Sequence, residues 1–500
     1  MGAKSSRFNR RRNVSFADTP KMVGYCEGPD AAVSFPQKST RKDDVLLEAA
    51  KAGNLKILSS MLDSSPQLIE TQDMGGRTPL YQASWKGHIG AVQLLLERHA
   101  NPNVPKEKGF TPLITAAWMG HTQIVELLLD NGATINKPND GGATALFTAA
   151  QMGHAKTVSV LLHRGADPNL KRTSDLYTPL FMALAEGHVE TQQLLIEFGA
   201  DVNAKTKDGE TILMHAAQKA DFGGISRLVK GGADLTAFDS AGVTVLRHAL
   251  RAGLEVVELL LTSGMDPNTL SRDGYPLMID AAWTGDTKAI ALLLKHGALV
   301  DLPKKNGATP LYIAAQRGHA EAVSLLIDYG ADVNKTKSTG SSPLFIAAQF
   351  GHFHVVDLIL RHGGIVDLCR NSNATPLYIA SECGHLAVVS LLLENGADVN
   401  HPDEDGDTPL YGATLFNHFE VARKLLEWGA DPTSKNKAGF SSINRALLQK
   451  NRPLELLFSS SIVWKMWEGK TKEPNMMSWL SYEMLEEVHS LAFADPSGEW

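Results

Sequence analysis

Seven histidines recur along this 500-residue chain, each directly after a glycine: His88, His121, His154, His188, His319, His352 and His385. Imidazole serves as a metal ligand and as a general acid or base, so the series first suggests metal or proton-transfer chemistry. Its spacing argues otherwise. The members stand 33 or more residues apart, too far in sequence for one compact ligand cluster, and a ring that hydrogen-bonds neighbouring backbone is the expected role. The three cysteines, Cys26, Cys369 and Cys383, have no metal-ligand spacing, and their odd number fits a reduced, intracellular compartment. No Gly-rich phosphate loop, nucleophile elbow or kinase signature occurs. The residues therefore predict no enzyme, no metal and no cofactor.

A second group of chemically marked residues lies in the first 42. They carry nine Lys/Arg against three Asp/Glu, a net +6, which leaves −13 for residues 43–500 of a chain whose total is −7. Gly2 followed by Ser5 and Ser6 fits the N-myristoylation pattern. One acyl chain holds a protein only marginally, and Lys4, Arg7, Arg10, Arg11 and Arg12 would supply the second signal toward an anionic leaflet. Overlapping them, Arg12-Asn13-Val14-Ser15-Phe16 resembles the motif by which regulatory subunits dock on the catalytic subunit of type-1 protein phosphatase. In an extended strand Val14 and Phe16 point to the same side, so both can enter apolar pockets. Val33 and Phe35 repeat the spacing without the basic residue. Arg10 and Arg12 lie five and three residues before Ser15, a pattern similar to basophilic kinase sites.

The elements that carry everything else follow from a period. Gly-x-Thr-Pro-Leu blocks set a register at Leu80, Leu113, Leu146, Leu180, Leu213, Leu246, Met278, Leu311, Leu344, Leu377 and Leu410, with steps of 33 residues apart from one of 34 and one of 32. The unit around Thr309 is the most regular. Thr309 caps a helix whose first turn holds Pro310, Ala314 and Ala315 let neighbouring helices approach, and Gly318 and Gly330 end the two helices. Val323, Leu325 and Leu326 form an apolar face that one unit cannot bury alone. These features resemble the ankyrin repeat. The resemblance implies an all-α solenoid of about 12–13 helix-turn-helix repeats with short β-turn tips, spanning 43–458 between a disordered basic arm (1–42) and a Trp-rich tail (459–500).

The resemblance also implies protein partners, held on the turn tips and on the two residues before Gly-His. On that face Trp85, Trp118, Met119, Met152, Trp283 and Phe350 are the candidate contacts. Trp85 and Trp118 share one register and are expected side by side, either exposed for a partner or packed on the turn loops. An acidic solenoid is a poor nucleic-acid binder, and we expect a cytoplasmic monomer, peripheral to a membrane. The arm and array together are similar to myosin-phosphatase targeting subunits, although Phe16 lies 27 residues before Asp43 and their additional docking pattern is absent. In the tail, 476–493 reads as a helix with Trp479, Leu480, Met484, Leu485, Val488 and Leu491 on one face, covering the last repeats. Alternatively 480–488, similar to the start of an F-box, makes the chain a ubiquitin-ligase adaptor. Repeats between Thr211 and Ala298 depart furthest from the pattern, which predicts a bend or soft point there.

Overall fold

The computed structural model describes residues 42–467, with side chains to 460. Gly2, Arg12, Val14, Ser15, Phe16 and the 476–493 segment lie outside the described residues. Within them thirteen helix pairs follow one another, from Lys42–Ala52 with Leu55–Ser64 to Ser442–Gln449 with Arg452–Trp467. The last helix continues through position 458. The chain divides into two compact units between Thr134 and Ile135; among the described residues the first contains three pairs and the second ten. The described residues form no extended strand, and three tips hold isolated bridges, Lys205 with Thr211, Phe238 with Thr244 and Leu270 with Pro276.

Each repeat folds as its residue types dictate. Thr309 Oγ1 accepts the Tyr312 N–H at 3.2 Å while Pro310 opens the helix Pro310–Arg317. A cap of this kind contributes about 1 kcal/mol. Thr78, Thr111, Thr144, Thr178, Thr211, Ser342, Thr375 and Thr408 make the same bond. Leu311, Ala314, Ala315, Val323 and Leu326 are buried, and Leu325 is half-buried. A fully buried Leu contributes about 1.5–3 kcal/mol, and stacking supplies that burial. Seven of the register leucines are followed by an aromatic that is also interior: Tyr81, Phe147, Phe181, Tyr312, Phe345, Tyr378 and Tyr411 are all buried.

The glycine–histidine pair couples one repeat to the next. Gly318 sits at φ +76°, and a Cβ there would meet His352 Nδ1 of the following repeat at 2.6 Å. Glycine is therefore required both for the left-handed turn and for the imidazole that fills its space. The other ring nitrogen, His352 Nε2, bonds the Gln316 carbonyl at 3.2 Å. His88, His121, His188, His319 and His385 reach the carbonyls of Lys51, Trp85, Gln151, Trp283 and Gln349 at 3.0–3.3 Å. His418, which follows Asn417 and so escapes the Gly-His pattern, does the same to Glu382 O at 3.0 Å.

Three consecutive repeats lack this coupling. Asp221 and Asp286 stand in the histidine position and cap their own helices, accepting from Gly224 N at 2.8 Å and Ala289 N at 3.0 Å. Between them the histidine position is missing: Gly253 leads straight into Leu254–Thr262. Ala220, the counterpart of the usual glycine, adopts φ 53° where no following imidazole competes for the space. Thr244 makes no side-chain cap bond, and the residue in the next cap position is Pro276.

Candidate protein-binding surface

Trp85 and Trp118 each stand two residues before a glycine, near the ends of helices Pro79–Lys86 and Pro112–Met119. The Trp85 carbonyl is held by His121, which fixes the backbone and leaves the indole half-exposed. Both indoles line one cleft of the first unit, with Gly75, Arg77, Tyr81, Lys106, Glu107, Lys108, Phe110 and Thr115. The tips beside it are tied together by Glu107 N–H donating to Gly75 O at 3.1 Å, and Lys106 N–H donating to Phe110 O at 2.9 Å closes the second tip on itself.

Cations are threaded among the rings. Lys86 Nζ lies 4.5 Å from the Trp85 ring centre and the Arg77 guanidinium 5.6 Å from it. Lys106 Nζ lies over both Tyr81 and Phe110, at 5.6 and 5.3 Å. Each such pair contributes about 0.5–1 kcal/mol at an exposed site. Arg77 also faces Asp73 at 4.0 Å. On the cleft wall Thr115 is buried, and its hydroxyl has no hydrogen-bond partner.

The sequence singled out the tryptophans of this cleft. It does not single out Arg77, Lys106, Lys108, Phe110 or Thr115. A usable signal existed. A cation stands 25 positions after an aromatic in Tyr81/Lys106, Phe147/Arg172, Tyr312/Lys337 and Phe345/Arg370, and in each pair it lies over that ring. At Tyr378 the same position is Asp403, whose carboxylate bonds the phenol; burial first, and then Asp403, push that hydroxyl above its ordinary range.

Met119, at the end of the Trp118 helix, is exposed. In the second unit Met152, Trp283 and Phe350 are exposed as well. Trp283 carries Arg317 at 4.4 Å and Phe350 stacks beside His352 at 6.1 Å. No group of three or more His, Cys, Asp or Glu side chains converges as a metal site among the described residues. Cys369 Sγ lies 3.4 Å from His401 Nε2, but burial, and then Asp367, push its thiol up, away from the reactive thiolate. No helix among the described residues is long and apolar enough to cross a membrane.

Comparison with known proteins agrees with the repeat geometry. The family model described as Ankyrin repeats (3 copies) matches residues 27–106, 99–172, 170–239, 245–337, 277–368 and 344–436. An African elephant (Loxodonta africana) protein, "Ankyrin repeat, SAM and basic leucine zipper domain-containing protein 1", is 31% identical over 86 residues. That match spans 17% of this chain and 18% of the elephant protein.

Proposed function

Because this chain belongs to the ankyrin repeat family, a protein-binding scaffold fold, we propose that it works without catalysis by holding a protein partner against the Trp85/Trp118 cleft. The observation that carries this reading is that two half-exposed indoles share one cleft with a ring of cations. Tryptophan and arginine are the residue types that most often dominate binding energy when a partner covers them. Exposed Met119 ends the cleft helix Pro112–Met119, and Met152, Trp283 and Phe350 offer further contacts on the second unit.

The test is affinity capture with Trp85→Ala/Trp118→Ala in the full-length chain. Partners should be lost while helix content and melting stay nearly unchanged. A sharp fall in melting with undiminished capture by the remaining folded protein would make the indoles structural and remove this surface from the reading.

The arm extends the proposal to targeting. Arg12, Val14 and Phe16 would hold type-1 protein phosphatase, while Gly2 and the basic cluster would bring the scaffold to a membrane surface. Support for both comes from the sequence pattern alone. Phosphatase captured by the whole chain and lost from one starting at Asp43 is the expected result; equal capture by the two ends the targeting reading.

A further inference from the structure

The geometry points to an acidic, extended peptide segment with one large apolar side chain as the occupant of the Trp85/Trp118 cleft. This inference rests on the reading of that cleft as the partner-binding surface, and adds what the partner must look like.

Charge is the first argument. Between residues 42 and 134 there are eight Lys/Arg and ten Asp/Glu, so this stretch is acidic on balance. Yet four of those eight cations, Arg77, Lys86, Lys106 and Lys108, lie in or against the cleft. The opposing carboxylates are Glu107 on the lining and Asp73 beside Arg77. The cleft is thus a positive island in a negative surface. Such an arrangement attracts a few carboxylates presented locally and repels a long polyanion, whose remaining charges would run over acidic protein. That distinction favours a short acidic peptide over nucleic acid.

Shape and hydrogen bonding supply the second. The half-exposed indoles leave apolar surface that a side chain inserted between the repeats would cover, and covering it excludes water from the cation–carboxylate pairs. Thr115, buried on the wall, holds a hydroxyl with no partner. A buried hydroxyl left without a hydrogen bond is costly, and an entering carboxylate or peptide carbonyl could accept from it. Lys106 meanwhile is fixed over two rings, so its charge is presented at a defined place rather than on a mobile stem.

A random-peptide display selection on immobilised full-length protein tests this directly. Wild type should enrich segments in which Asp or Glu flank one large apolar residue, and a synthetic copy of the best peptide should bind less tightly as salt rises. Lys86→Glu/Lys108→Glu, which changes two exposed side chains, should weaken that copy by about tenfold or more. Trp85→Ala/Trp118→Ala should abolish it.

If the selected peptides are neutral or basic yet still depend on the tryptophans, the cleft is the binding surface and the acidic partner is wrong. If peptides bind equally to the tryptophan variant, or none is enriched over bare matrix, the surface assignment itself fails. Competition by a single-stranded RNA at a concentration matching the peptide would overturn the proposal in favour of nucleic acid.

Discussion

Glu210 and His215 make opposite pH dependences that cancel in the wild-type protein and separate when either is replaced. Both are buried, Glu210 at the tip just before the Thr211 cap and His215 in the helix that Thr211 opens; Glu210 Oε1 and both His215 ring nitrogens have no hydrogen-bond partner. Burial first, then Asp239 and Asp208, raise Glu210 from 4.5 to about 7, against smaller opposing effects of a Gln218 hydrogen bond and Lys219. Burial, with Lys219 adding to it, lowers His215 from 6.5 to about 4.

The signs follow from which state holds the proton. Between about pH 4.5 and 7 folded Glu210 keeps a proton that the unfolded chain releases, so its contribution to stability falls as pH rises. Between about pH 4 and 6.5 the unfolded chain protonates His215 and the folded state does not, so its contribution rises with pH. At about 1.4 kcal/mol per pH unit each amounts to at most roughly 3 kcal/mol. Their slopes oppose one another across the shared window.

Hydrogen exchange in helix Ile212–Gln218 of the full-length chain, compared with wild type at matched pH, isolates each group. Glu210→Gln should raise protection only a few-fold at about pH 5 and about a hundredfold at about pH 8, since roughly 3 kcal/mol is two decades. His215→Met, which borrows the residue found at the equivalent Met182, should gain protection most at the acid end. A Glu210→Gln gain that does not grow between about pH 5 and 8 would refute the burial argument.

Other expectations can be checked in the same material. Gly318→Ala should destabilise its repeat by about 2 kcal/mol or more, from left-handed strain and the His352 ring; adding His352→Ala should recover part of the loss in urea melts, and full additivity would refute the coupling. Thr309→Ala should cost about 1 kcal/mol, whereas Thr244→Ala, which removes no cap bond, should cost little; similar losses would overturn the cap account. Amides of helices Phe222–Lys230 and Leu254–Thr262 should exchange before those of Ala320–Asp328; the reverse order would place the soft point elsewhere. Phosphorylation of Ser15 should reduce both anionic-liposome binding and phosphatase pull-down, since it adds about −1.5 to −2 charge among the arginines and between Val14 and Phe16; unchanged binding by enzymatically phosphorylated protein removes the switch.

The repeat was legible because each of its residues answers a local backbone demand. A threonine hydroxyl at a helix start, a proline behind it and a glycine at its end have few other roles at a fixed period, so the helix pairs could be read directly. The structural role of the histidines was legible for the same reason. The cleft was only half legible. Its tryptophans stand in a register slot, but Lys106, Lys108 and Thr115 belong to the next repeat, and their approach depends on how the repeats stack rather than on any local pattern. The buried Glu210 was invisible in the sequence, because a charged residue at a tip normally faces water, and His215 was too, because it falls outside the Gly-His series that drew notice.

The histidine link also governs where this chain can gain or lose residues. The two departures from the 33-residue step, 34 from Leu146 to Leu180 and 32 from Leu246 to Met278, fall where no bridging imidazole is disturbed. The longer step accommodates its extra residue in the tip between Arg172 and Tyr177, closed by its own Arg172 N–H to Tyr177 O bond of 2.9 Å. The shorter one has deleted the histidine itself. Elsewhere a single insertion between a helix end and its Gly-His pair would move an imidazole off the carbonyl it grips and break contact with the preceding repeat. Foreign segments grafted into this protein should therefore be accepted at the tips and rejected at the inter-helix turns, however polar and surface-exposed those turns look.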